Sequence, residues 1–195
     1  MGNSVAYPVF RTADKAEAYR RAELLSRLLT RRHAEVWLTA DLETVEDVRR
    51  TAAAVPGARY EYVEIRTDPD TGAYIGFDLD IATAHDDALR PELPLVVSAS
   101  VPWGSVEDRF VAALGQGMAD IDWQGAWPDD PDAAHPGWAK YDGVQLLFHC
   151  DDQARRHRSD RHTVYVHVTK WGDPARARKL AAYVGGAVLG EETGW

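Results

Sequence analysis

His149, Cys150 and His167 are the residues of this chain whose types could make or break bonds. A thiolate beside an imidazole is a nucleophile with its base, and imidazole, thiolate and carboxylate together can hold zinc. Five histidines fall in the second half: His135, His149, His157, His162 and His167. His149-Cys150-Asp151-Asp152 closes one β-like run, and His162 and His167 lie on the next. The spacings argue against metal, because C-x-x-C, H-E-x-x-H and helically spaced histidine pairs are all missing. His157 also sits among Arg155, Arg156, Arg158 and Arg161, which repel a cation. A lone cysteine more often closes a strand as a small apolar residue. No metal and no cofactor are therefore expected, and no catalytic residue is assigned. G-x-x-x-x-G-K-[ST], G-x-G-x-x-G and G-x-S-x-G are missing as well.

A second chemistry is recognition. Residues 122–143 read DWQGAWPDDPDAAHPGWAKYDG, a connection longer than compact domains usually tolerate without a function. It holds Trp123, Trp127 and Trp138 together with Asp122, Asp129, Asp130, Asp132 and Asp142, against Lys140 alone. Pro128, Pro131 and Pro136 stiffen it, which lowers the entropy lost on binding. Indoles beside carboxylates suit a surface that docks a basic protein. The expected binding residues are Asp122, Trp123, Trp127, Asp129, Asp130, Asp132 and Trp138. On this reading Trp127→Ala weakens binding and leaves the melting temperature nearly unchanged. The competing expectation is that the tryptophans fold back to cap the core, since tryptophan is highly buried on average.

The elements that must carry these residues follow from periodicity. Val5–Phe10 is β-like, and Asp14 with Glu17 has the spacing of a capping box for a helix to about Arg32. Glu35–Thr39 reads as a strand, and Thr44 caps a helix bearing Val45, Val48, Ala52 and Val55. Arg59–Thr67 and Ala73–Ile81 predict a hairpin, with Phe77, Leu79 and Ile81 alternating with Asp78 and Asp80. Leu95–Val101 is a strand, followed by a helix capped by Ser105 and reaching Met118. After the long loop come strands over Val144–Cys150 and Thr163–Thr169. Asp173-Pro174 then starts a last helix with a stop at Gly190.

Strand, helix, hairpin thus runs twice, over 35–81 and 95–169, and both helices open with [ST]-V-E-D, at Thr44 and at Ser105. The expected fold is α+β: tandem β-α-β-β halves forming one antiparallel or mixed sheet with helices mainly on one face, plus an N-terminal strand-helix and a C-terminal helix. Residues 1–195 are expected to form one unit. The element order resembles tandem β-α-β-β modules such as those of GyrI-like effector-binding proteins, in order alone and without a shared motif.

Composition bounds the partners. A net charge of −9 opposes binding along a phosphate track, so no nucleic-acid partner is expected. No apolar run approaches the ~20 residues that cross a bilayer, so no membrane partner is expected either. One cysteine and no secretory pattern point to a cytoplasmic protein. Three functional expectations follow. The first is a non-enzymatic binding module, an immunity- or antitoxin-like inhibitor of a basic protein. The second is a small-molecule effector-binding module with a Trp-lined cleft, and the third is an enzyme using the region of His149, Cys150 and His167.

Overall fold

Alternation along the strands decides which side chains enter the core. Strand β2 (Glu35–Leu42) buries Val36, Leu38, Ala40 and Leu42 and turns Trp37, Thr39 and Asp41 to the other face. The computed structural model describes residues 4–153, 155, 157–190 and 193–194; Arg156 of the arginine cluster lies outside them. Its elements are β1 (Val5–Thr12), α1 (Lys15–Ser26), β2, α2 (Val45–Ala54), β3 (Arg59–Tyr62), β4 (Arg66–Thr67), β5 (Tyr74–Ile75) and α3 (Asp86–Leu89). There follow β6 (Leu95–Pro102), α4 (Glu107–Ala113), β7 (Ala119–Gln124), β8 (Gly143–Phe148), β9 (His162–His167), α5 (Pro174–Tyr183) and β10 (Thr193–Gly194). The main sheet has eight strands in the order β10-β1-β9-β8-β7-β2-β6-β3. Every neighbouring pair in it is antiparallel.

The fold is α+β, with an N-terminal strand-helix and a C-terminal helix, as expected. Inward residues of α1, α2, α4 and α5, among them Ala22, Leu25, Val48, Phe110 and Leu180, join one cluster with the inward strand residues. The helices therefore share one face of the sheet. The two β-α-β units do not stand side by side. β6 lies between β2 and β3, and β2 lies between β6 and β7, which is the split β-α-β arrangement. No described helix is long and apolar enough to cross a membrane.

Local chemistry sets the helix starts. Asp14 accepts from the N–H groups of Ala16 and Glu17, and Thr44 forms a reciprocal capping box with Asp47. Asp173 accepts from Arg176 N–H, with Pro174 in the first turn. The second [ST]-V-E-D behaves differently. Ser105 does not cap; α4 begins two residues later, and the Glu107 carboxylate accepts from Gly104 and Val106 N–H.

Five elements depart from expectation. α5 ends at Tyr183, short of Gly190, with Gly185 at φ +68° just beyond it. α1 stops at Ser26, and Thr30 instead pairs with Ala126. α4 stops at Ala113, short of Met118, and the chain passes so close to β2 that a Cβ on Gly117 would lie 2.0 Å from the Asp41 carbonyl oxygen. β7 occupies Ala119–Gln124, part of what reads as loop in the sequence. In the expected hairpin only Arg66–Thr67 and Tyr74–Ile75 pair, whereas Arg59–Tyr62 joins β6 in the main sheet. The segment 77–81 keeps its inward Phe77, Leu79 and Ile81 but belongs to no ladder.

Candidate functional site

The tryptophan-rich connection folds back on its own protein. Trp123 falls at an inward position of β7 and is 2% exposed; Trp127 is 1% exposed, and its indole N–H donates to the His167 carbonyl at 2.7 Å. Buried Asp142 organises the turn by accepting backbone N–H groups from Trp127 (3.2 Å), Trp138 (2.7 Å) and Thr169 (2.8 Å). Burial pushes this carboxyl's pKa up while those three donors pull it down. Asp130 and Asp132 reach Lys179 of α5 at 2.8 and 2.9 Å. Such exposed pairs contribute little, but they lie where the connection meets the helix.

The seven expected binding residues therefore do not form one surface. Asp122, Trp123 and Trp127 are buried, whereas Asp129, Asp132 and Trp138, 51% exposed, face outward. A β7 strand beginning at Ala119 puts Trp123 in the core by alternation, and Asp142 draws Trp127 in after it. Trp138 stands edge-on to Tyr141, and the exposed Trp171 lies 5.2 Å from His135.

His149, Cys150 and His167 are not brought together. Cys150 is fully buried with its thiol on the Asp152 carbonyl at 3.0 Å, and burial raises its pKa. His149 faces His162, whose Nδ1 accepts the His149 backbone N–H. Burial, and then His149, lower His162 to about 4. His167 lies five positions further along β9. Its Nδ1 meets Ser4 Oγ at 2.8 Å, and its Nε2 lies 3.3 Å from Gln145 Oε1. Burial holds it near 3, a neutral structural imidazole. Among the described residues no group of three or more His, Cys, Asp or Glu is placed to hold a metal.

The face of the sheet away from the helices carries a polar network that is hidden in the sequence. Arg155, with φ +51°, bridges Asp41 at 2.6 Å and Asp120 at 2.8 Å, tying the segment after β8 across β2 and β7. Asp122, 8% exposed and opposite Trp37, has an Oδ1 without a partner among the described residues. Burial, then the charge of Asp120, raise it to about 8. Burial outweighs Arg155 at Asp120, which rises to about 6.

A different arrangement occupies the far edge. Residues 57–61 and 76–82 wall a cleft of about 640 Å³ beside β3, with Tyr60, Phe77 and Leu79 as apolar lining and Glu61, Asp78 and Asp80 as its carboxylates. Tyr60's hydroxyl is buried without a partner among the described residues, and burial raises it to about 12. Next to the cleft stands the β4–β5 arm, with Ile65 83% and Tyr74 61% exposed and Val63 and Ile75 also outward. The arm is rooted by Arg66, which pairs with Glu92 at 2.8 Å and lies over the Tyr62 ring, while Phe77 meets Tyr62 edge-on. Its tip is fixed by Asp68, which accepts from Asp70 and Thr71, and by Gly72 at φ +68°. Arg49 of α2 secures the other end by donating to the Ile81 and Ala84 carbonyls and pairing with Asp86 at 2.8 Å. Across 61–80 the sequence places Glu61, Glu64, Asp68, Asp70, Asp78 and Asp80 against Arg66 alone. Alternation explains the carboxylates one at a time; the exposed Ile65 beside them was the signal available in the sequence.

Comparison with family models, curated proteins and solved structures finds no match.

Two outcomes follow from this geometry. Trp127→Ala removes a core indole and a buried hydrogen bond. It should cost about 3–5 kcal/mol and lower the melting temperature by roughly 10 °C, opposite to the expectation for a surface loop. An unchanged thermal scan would contradict that. The second concerns pH. Asp122's folded pKa lies near 8 against an ordinary 3.8, so the stability linked to its retained proton is full below the ordinary value and lost as pH rises through 8. His149, His162 and His167, all held below the ordinary 6.5 by burial, act in the opposite sense, and their opposition fades only above about pH 7.5. Against them Asp122 contributes a loss of up to about 1.4 kcal/mol per pH unit as pH rises to 8, and Asp122→Asn should remove that contribution from the slope in urea titrations. Equal slopes in both proteins would remove Asp122 as the cause.

Proposed function

We propose that this protein is a non-catalytic binding module for a basic protein, of immunity- or antitoxin-like type, and that the β4–β5 arm with the cleft at its root is the docking surface. One observation carries this reading: exposed apolar side chains stand beside a cleft within a segment almost wholly acidic in charge. Exposed apolar patches rimmed by polar groups mark protein contacts. Anchor side chains seated in pockets supply most of an interface's affinity. Surrounding carboxylates steer a cationic partner and raise the association rate. Trp138 and Trp171 are further exposed apolar side chains, away from the cleft lining.

The volume of the cleft, about 640 Å³, favours a second reading, a small-molecule effector site. Its walls are tyrosine and phenylalanine, and its carboxylates select an amphipathic cation.

The test uses the full chain carrying an affinity tag in its native cells, with the co-purifying partner identified and its affinity then measured. Ile65→Asp should weaken binding at least about tenfold while shifting the melting temperature little, because Ile65 is 83% exposed. Binding should also weaken with added salt. Unchanged affinity in Ile65→Asp, or loss through Trp138→Ala instead, would refute the assignment to the arm. A ligand that raises the melting temperature of the wild type but not of Gly76→Leu would favour the effector reading, since a side chain there meets only Tyr74 at ordinary contact and extends at the cleft.

A further inference from the structure

We propose that the partner docks by strand addition: an extended basic segment, apolar at alternate positions, adds to the free edge of β3. The proposal rests on the arm being the docking surface. β3 ends the sheet order and pairs with β6 alone, so its outer N–H and C=O groups have no ladder partner among the described residues. Sheet edges are usually shortened, charged or covered because such groups recruit strands. β3 is short and carries Arg59 and Glu61, but what lies beside it is a cleft and not a covering element. The cleft's other backbone wall, 76–82, belongs to no ladder. The outer edge of β3 and the segment 76–82 thus bound one groove, and no described strand pairs with either of them there.

The side chains define the occupant. In an added strand, successive residues point to opposite faces. Those on the helix side would meet Tyr60, Phe77 and Leu79, which calls for apolar residues. Those on the other side would meet Glu61, and Asp78 stands exposed at the cleft, which calls for lysine or arginine. Main-chain bonds would supply affinity and alternate pockets specificity, as in other strand-addition complexes. A second copy of this chain is disfavoured as the occupant, because pairing two β3 edges brings together two arms that each carry Glu64, Asp68 and Asp70, with Asp78 of each copy beside the cleft.

The probe is a capped peptide of alternating lysine and valine, about eight residues long, titrated into the full-length protein by fluorescence anisotropy and followed by amide hydrogen exchange. The peptide should bind, and exchange at Arg59–Tyr62 should slow at least about tenfold on saturation. Asp78→Lys and Gly76→Leu should each weaken it, Trp138→Ala should not, and replacing lysine by glutamate in the peptide should abolish binding. N-methylation at alternate peptide residues should also abolish binding in one of the two frames, which a side-chain anchor would not require. The proposal fails if the peptide does not bind, if protection appears away from β3, or if both N-methylated frames bind like the parent. It also fails if the free protein forms a dimer that already protects β3. Failure here while the intact partner still depends on Ile65 removes strand addition alone. Failure of both removes the docking surface itself.

Discussion

The insertion of β6 between β2 and β3 is the constraint from which the rest follows. A β-α-β unit whose two strands were adjacent would leave α2 covering a closed pair. Here β2 is occupied on both sides, by β6 and β7, and β3 is displaced to the rim of the sheet. The same displacement leaves the chain after β3 without a neighbour to pair with, so 63–76 turns back on itself as a two-residue ladder and stands away from the body. The arm and the cleft are thus products of strand order. Arg49 and Arg66 then fix them at two points with ion pairs that also hold backbone carbonyls.

Much of the secondary structure was legible because local chemistry governs it. Asp14, Thr44 and Asp173 are caps whose side chains reach only two or three residues along the chain. The strands around Val36, Val97 and Val164 alternate strongly. What stayed hidden depends on distant partners. β7 has the alternation Ala119, Ile121, Trp123, but its outward positions are Asp120, Asp122 and Gln124, and the glycines and prolines that follow make the whole stretch resemble a loop. The destination of Trp127 depended on Asp142, fifteen residues away, and on the His167 carbonyl at the end of β9. The two [ST]-V-E-D segments start their helices at different residues by different carboxylates.

The candidate site was legible in chemistry and not in place. Acidity with exposed aromatics pointed to a basic partner, and the tryptophan-rich connection concentrated both in the sequence. Folding separated them: the carboxylate Asp142 was consumed in holding backbone, and the indoles of Trp123 and Trp127 entered the core. The opposite face of the sheet shows a related economy of charge. Arg155 holds two carboxylates at once, and burial, with the charge of Asp120 beside it, keeps the proton on the neighbouring Asp122 near neutral pH.

An uncovered edge beside exposed isoleucines has a consequence for the unpartnered chain. A four-residue strand with open backbone groups is a template for polymerisation whenever concentration is high. The arm's carboxylates then act as gatekeepers, since stacking copies would pile like charges along a fibril axis. Acidity in this segment would thus serve solubility during the intervals when nothing is bound.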